Sequence, residues 1–148
     1  MAKPKNKVKE YPIEDEPLSM VSEDAAVYGV MDVLRRGISF SAFLQIVKDS
    51  LLDMHEWAQI LHLDTRTLQR YKTSNLTFAP LQSEKILEIK LLNDLGARVF
   101  GDVDSFDTWL RTKSVSLGGT PPKDLLDNSF GITLVKDELL RIQYGVLA

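Results

Sequence analysis

Asp53-Met54-His55-Glu56-Trp57-Ala58-Gln59-Ile60-Leu61-His62-Leu63-Asp64-Thr65-Arg66-Thr67-Leu68-Gln69-Arg70-Tyr71-Lys72 holds two short helical patterns separated by a turn at residues 62–64. Asp53 followed by Glu56 three residues later forms a capping box for the first. Asp64 or Thr65 can cap the second. Trp57, Ala58, Leu61, Leu63, Leu68 and Tyr71 are the apolar positions. Ala58 is small where two helices must cross closely, and Leu61, Leu63 and Leu68 fill the space between them. This is the arrangement of a helix-turn-helix. His62 stands in the turn, where such motifs often place glycine, which predicts a left-handed or otherwise strained backbone there.

The second helix then exposes Thr65, Arg66, Thr67, Gln69, Arg70 and Lys72. Arginine pairs with guanine edges, glutamine with adenine, and threonine with bases or phosphate. In such motifs the N-terminal part of the second helix enters the major groove. These six residues are therefore the candidate DNA-reading set. The alternative is a helical pair used only for packing or dimerisation. Asp53, Glu56 and Asp64 balance Arg66, Arg70 and Lys72, so the motif is neutral.

Upstream, Ser39 can cap a helix carrying Phe40, Phe43, Leu44, Val47 and Leu51. Before it, Val27, Val30, Met31 and Leu34 fall at helical spacing from Glu23 onward, and Gly37 ends the stretch as a C-terminal glycine would. Residues 1–22 hold Pro4, Pro12 and Pro17, with Lys3, Lys5, Lys7 and Lys9 followed by Glu14-Asp15-Glu16. Such a segment has too little apolar surface to offset its ordering entropy. It reads as a solvated tail or as a basic arm touching DNA backbone.

Downstream, Thr73-Ser74-Asn75 reads as a turn. A long helix is expected from near Pro80 to Phe100. Ile86, Ile89, Leu92 and Val99 form its stripe, widened by Leu87, Leu91 and Leu95, a candidate dimer interface. Gly96 within it suggests close packing against a partner. Ser105 to Lys113 forms a short helix with Phe106, Trp109 and Leu110, and Ser114 to Thr120 a loop. Thr120 can cap a turn begun by Pro121-Pro122, with Leu125, Leu126 and Phe130 anchored on the core. After Gly131, Thr133 can cap a last helix whose seam is Val135, Leu139, Ile142 and Val146. Gly145 ends it and leaves Val146-Leu147-Ala148 as an apolar tip. That tip can dock on its own core or enter a cleft on another protein, as a short amphipathic helix does.

At 148 residues the chain is long enough to bury a core, roughly 70% of its unfolded surface. Its hydrophobic content of 44% and charged content of 26% are those of a soluble globular protein. With no cysteine there is no disulfide or thiolate metal site. The longest uncharged run, Gly37 to Val47, is about half of what a bilayer crossing needs, and the cytoplasm is the expected compartment. A net charge of −3 argues mildly against phosphate gripping as the chain's sole business.

Catalytic chemistry is not visible. His55 and His62 are the only histidines, and the zinc-protease pattern would need a histidine where Gln59 stands. No phosphate loop follows a strand, and no nucleophile elbow is present. Glu14-Asp15-Glu16 lies in the tail, a poor place for fixed acid–base geometry. No catalytic, metal or cofactor residue is assigned.

Phe100-Gly101-Asp102, Trp109-Leu110, Leu117-Gly118-Gly119 with Pro122, Leu125-Leu126, and Leu139 to Val146 together resemble the toxin-binding region of Xre/MbcA/ParS-type antitoxins. Residues 53–72 resemble the DNA-binding half of Xre-family regulators. The resemblance implies an all-α protein: a tail (1–22), an Xre-like helix-turn-helix region (23–75), a connecting or dimerisation helix (76–101) and a toxin-binding module (102–148) sharing one core. It implies an antitoxin, not an enzyme, whose C-terminal end covers the active-site cleft of a RES-domain toxin acting on NAD. Arg141, Gln143, Tyr144, Gly145, Val146, Leu147 and Ala148 are then the toxin-binding residues. Leu147 would meet apolar walls and the Ala148 carboxylate the pyrophosphate donors. Operator DNA, a homodimer and autorepression are the further expectations. The alternative is a helix-turn-helix transcription regulator whose C-terminal module only dimerises or senses a ligand.

Overall fold

In a computed structural model, residues 23–145 are described, with side chains from Tyr28 onward. The expected tail and the tip residues Val146, Leu147 and Ala148 lie outside them. Two units divide the chain, residues 1–32 and 33–148. Within the first, the described part is the opening turns of α1 (Glu23–Arg36), where Tyr28, Val30 and Met31 are exposed. The second holds the remainder of α1 and six further helices.

Their order is α2 (Phe40–Val47), α3 (Met54–Ile60), α4 (Thr65–Ser74), α5 (Pro80–Phe100), α6 (Val103–Arg111) and α7 (Ser129–Tyr144). Two 3-10 turns, Val115–Leu117 and Pro122–Leu125, lie between α6 and α7. Among the described residues all regular structure is helical, apart from isolated bridges at Ser39–Thr77 and Ser114–Thr120.

The helix starts follow local chemistry. The Ser39 hydroxyl accepts the Ala42 N–H at 3.2 Å and the Asp64 carboxylate the Thr67 N–H at 2.6 Å. Asp53 and Glu56 form the expected reciprocal box, with bonds of 2.7 and 3.2 Å. Each satisfies donors that a helix start leaves unpaired. Helix α5 begins at Pro80 and ends at Gly101, whose φ is 83°.

One core runs through the second unit. Phe43 lies edge-on to Trp57 (5.2 Å, 89°) and to Phe78 (5.2 Å, 66°), and Tyr71 stacks on Phe78 at 4.9 Å. Ile86, Ile89, Leu92 and Leu95 of α5 continue this core to Phe106 and Leu110 of α6 and to Ile132, Val135 and Leu139 of α7. Each large side chain so buried contributes roughly 1.5–3 kcal/mol. Ser83, fully buried, accepts the Ile38 N–H at 2.9 Å and donates to the Phe78 carbonyl at 3.3 Å.

Several sequence-based expectations are corrected. Helix α4 continues through Thr73 and Ser74, and the chain turns at Asn75, which is left-handed with φ 44°. Helix α6 starts at Val103, capped by Asp102, and stops at Arg111. Thr120 caps nothing: the turn begins at Pro122 after Pro121. Asn128, not Thr133, caps α7, so Gly131 sits inside its first turn rather than breaking the chain. A Cβ on Gly131 would collide with the Leu125 carbonyl. Phe130 is not a core anchor but 77% exposed, and Ile142 is also exposed. The partner that Gly96 accommodates is Phe106 of the same chain, whose ring occupies the space of a Cβ. The α5 stripe faces the chain's own core; Leu81 and Leu91 are the large apolar side chains it leaves exposed.

Candidate functional site

The first surface is α4. Ala58, Leu61 and Leu68 are buried between α3 and α4, and Leu63 packs against them. The turn between the helices is closed by the Leu63 N–H to the Ala58 carbonyl at 2.9 Å. His62 has φ 54°, the left-handed conformation expected of it. With Leu68 and the ring of Tyr71 facing inward, Thr65, Arg66, Gln69, Arg70 and Lys72 are exposed and Thr67 is half-buried. All six candidate DNA-reading residues thus share one ten-residue helix, three of them cationic. Asp64 precedes them; the Thr67 backbone N–H, with Arg66 and Arg70 nearby, holds its carboxyl below the ordinary range.

The second feature is a joint that local sequence patterns do not reveal. Beyond capping α3, the Glu56 side chain accepts two hydrogen bonds from Arg111 of α6, each 3.0 Å, and one from Lys123 at 3.0 Å. Arg111 also meets Asp107 at 3.0 Å and the Leu51 carbonyl at 3.1 Å. Burial alone would raise the Glu56 pKa, but the bonds from Arg111, Lys123 and the Asp53 N–H outweigh it, and the carboxyl is held at about 2. Arg111 is correspondingly shifted upward by Glu56 and Asp107. Nearby, His62 Nε2 lies 2.7 Å from the Asp127 carbonyl, which also accepts from Lys85 at 3.1 Å. The first contact ties the α3–α4 turn, and the second ties α5, to the segment leading into α7. The other histidine, His55, is exposed on α3.

The third surface is the end of α7. Leu139 is its last fully buried side chain, and every described residue after Leu140 is exposed. Arg141, Gln143, Tyr144 and Gly145 therefore stand clear of the core. Arg141 pairs with Glu138 at 3.0 Å. Gly145, at φ 64°, closes the helix by donating to the Ile142 carbonyl at 3.2 Å. No helix among the described residues is long and apolar enough to cross a membrane.

Residues 30–89 match the antitoxin Xre-like helix-turn-helix domain, and residues 95–145 match the antitoxin Xre/MbcA/ParS C-terminal toxin-binding domain. A protein of Yersinia enterocolitica called antitoxin Xre is 29% identical over 109 residues, which is 68% of this chain and 74% of that protein. The two domain matches follow one another along roughly three quarters of the chain and meet at the joint that Glu56 makes with Arg111 and Lys123. The chain thus carries both domains of an Xre/MbcA/ParS-type antitoxin, a helix-turn-helix domain at residues 30–89 and a toxin-binding domain at residues 95–145.

Proposed function

We propose that the chain neutralises a RES-type, NAD-consuming toxin by laying the end of α7 and the residues beyond it over the toxin's active-site cleft. The observation that carries this reading is the abrupt exit of α7 from the core. Past Leu140 the helix continues for one exposed turn bearing Arg141, Gln143 and Tyr144, which contributes nothing to its own packing. Val146, Leu147 and Ala148 follow in the sequence. A short helix with spaced anchors suits a groove on another protein. The chain acts as an inhibitor, with no reaction of its own, in the cytoplasm.

The exposed set on α4 supports a second role, repression of the chain's own operon. Operators of helix-turn-helix proteins are read as paired half-sites by dimers. A homodimer is therefore part of the proposal, with Leu81 and Leu91 as the apolar groups that α5 leaves outside.

Co-expression with a RES-domain toxin encoded in the adjacent reading frame tests the first role. The full chain should restore growth, and a chain lacking Tyr144 to Ala148 should not, while its helical circular dichroism is unchanged. Protection by the shortened chain would refute the assignment. Gel shifts on the upstream promoter test the second: Arg66→Ala with Arg70→Ala should abolish the retarded band.

A further inference from the structure

Helix α7 has two unlike faces. Ile132, Val135 and Leu139 point into the core and are at most 6% exposed. On the opposite side Phe130 is 77% exposed, Tyr144 74% and Leu134 38%. At helical spacing, Phe130, Leu134, Asp137, Arg141 and Tyr144 fall close to one line along the helix, about 21 Å from end to end. The 3-10 turn Val115–Leu117 flanks this line, fastened by the Ser116 hydroxyl donating to Glu138 at 2.7 Å. It carries Val115, which is 95% exposed. The fold gains nothing from holding a phenylalanine, a valine and a tyrosine in water along one ridge, and clustered exposed apolar groups mark interaction sites.

We infer that this outward ridge is a second contact for the same toxin whose cleft the end of α7 enters, an inference that rests on that reading. Two observations choose the occupant. The line continues through Arg141 to Tyr144, both of which belong to the proposed cleft-filling end. It also lies wholly within residues 95–145, the span of the matched toxin-binding domain. Size points the same way. A stable protein–protein contact covers about 800 Å² of each partner, some 20–30 residues a side, and the last few residues of this chain fall well short. The partner therefore presents two apolar recesses about 20 Å apart: one takes Phe130 with Leu134, the other takes Tyr144, and Val115 adds an apolar contact on the flank beside Glu138. Asp137 and Arg141 lie between them and fix the register.

The test is calorimetric titration of the full chain with an inactivated RES-domain protein from the adjacent reading frame. Phe130→Asp should weaken binding about tenfold or more, and adding Val115→Asp should weaken it further. Neither substitution should move the melting temperature, since both side chains are exposed. Unchanged affinity for Phe130→Asp, alongside loss of binding on deleting Tyr144 to Ala148, overturns the ridge and leaves the toxin reading standing. A changed mass in solution with unchanged toxin affinity also overturns it, assigning this face to a second copy. No binding by the unsubstituted chain removes the toxin reading and this inference together.

Discussion

Glu56 and Arg111 meet fork to fork, with both carboxylate oxygens engaged by guanidinium nitrogens at 3.0 Å across 55 residues of sequence. Paired, parallel bonds of this kind are stronger and more directional than single ones. Glu56 is largely buried, Arg111 is about a third exposed, and Lys123 closes the remaining side. Removing the carboxylate leaves two cations facing a half-buried gap. Glu56→Ala should destabilise the fold by about 2–3 kcal/mol, below the fully buried case because the cations reach solvent. Urea denaturation measures this, and a loss under about 0.5 kcal/mol, the level of an ordinary surface substitution, would show the joint to be idle.

The same carboxyl sets a pH dependence. Its folded pKa is about 2 against an ordinary 4.5, so the folded chain binds this proton less readily than the unfolded one. The depressed value means the stabilisation is fully present above pH 4.5 and is lost as pH falls from there towards 2. At most about 3 kcal/mol is involved. Glu56→Gln should flatten the acid limb of a stability–pH curve in that window, and an unchanged limb would contradict the pairing.

His62 occupies a left-handed conformation at φ 54° and bonds to the Asp127 carbonyl. A β-branched side chain is poorly tolerated there. His62→Val should cost about 2 kcal/mol by combining backbone strain with loss of the bond. His62→Gly relieves the strain while losing the same bond, and should lie within about 1 kcal/mol of the parent. Equal effects in chemical denaturation would disprove the conformational argument.

At Gly131 the usual helix preference reverses. Replacing a helical glycine by alanine normally stabilises by about 1 kcal/mol. Here the new methyl would strike the Leu125 carbonyl, a backbone atom that cannot swing aside. Gly131→Ala should lose about 1–3 kcal/mol, as overpacking does. A rise in melting temperature would refute this.

What could be read from the sequence alone was local. Ser39, Asp53 and Asp64 announce helix starts because a short polar side chain reaches only the next few backbone donors. Pro80 and Gly101 bracket α5 for equally local reasons. Thr73-Ser74 misleads because polar residues on an exposed last turn resemble a loop. Gly131 misleads because its lack of a side chain serves a neighbour six residues back, not a break; with the helix start thus misplaced, Phe130 passes for core. Nothing in the spacing of Glu56, Arg111 and Lys123 announces that they meet. Glu56 reads as a cap, which it is, and its longer-range partners become apparent only once α6 and the Pro122–Leu125 turn are folded against α3.

The shared carboxylate also constrains inheritance. A chimera that takes its helix-turn-helix domain from one relative and its toxin-binding domain from another brings strangers together at Glu56, and keeps the joint only if Glu56, Arg111 and Lys123 are matched as a set. Surface positions such as Phe130 and Tyr144 carry no such obligation. On the toxin contact inferred above, new adversaries would be met by changing the ridge, while the grip between the halves stays as it is.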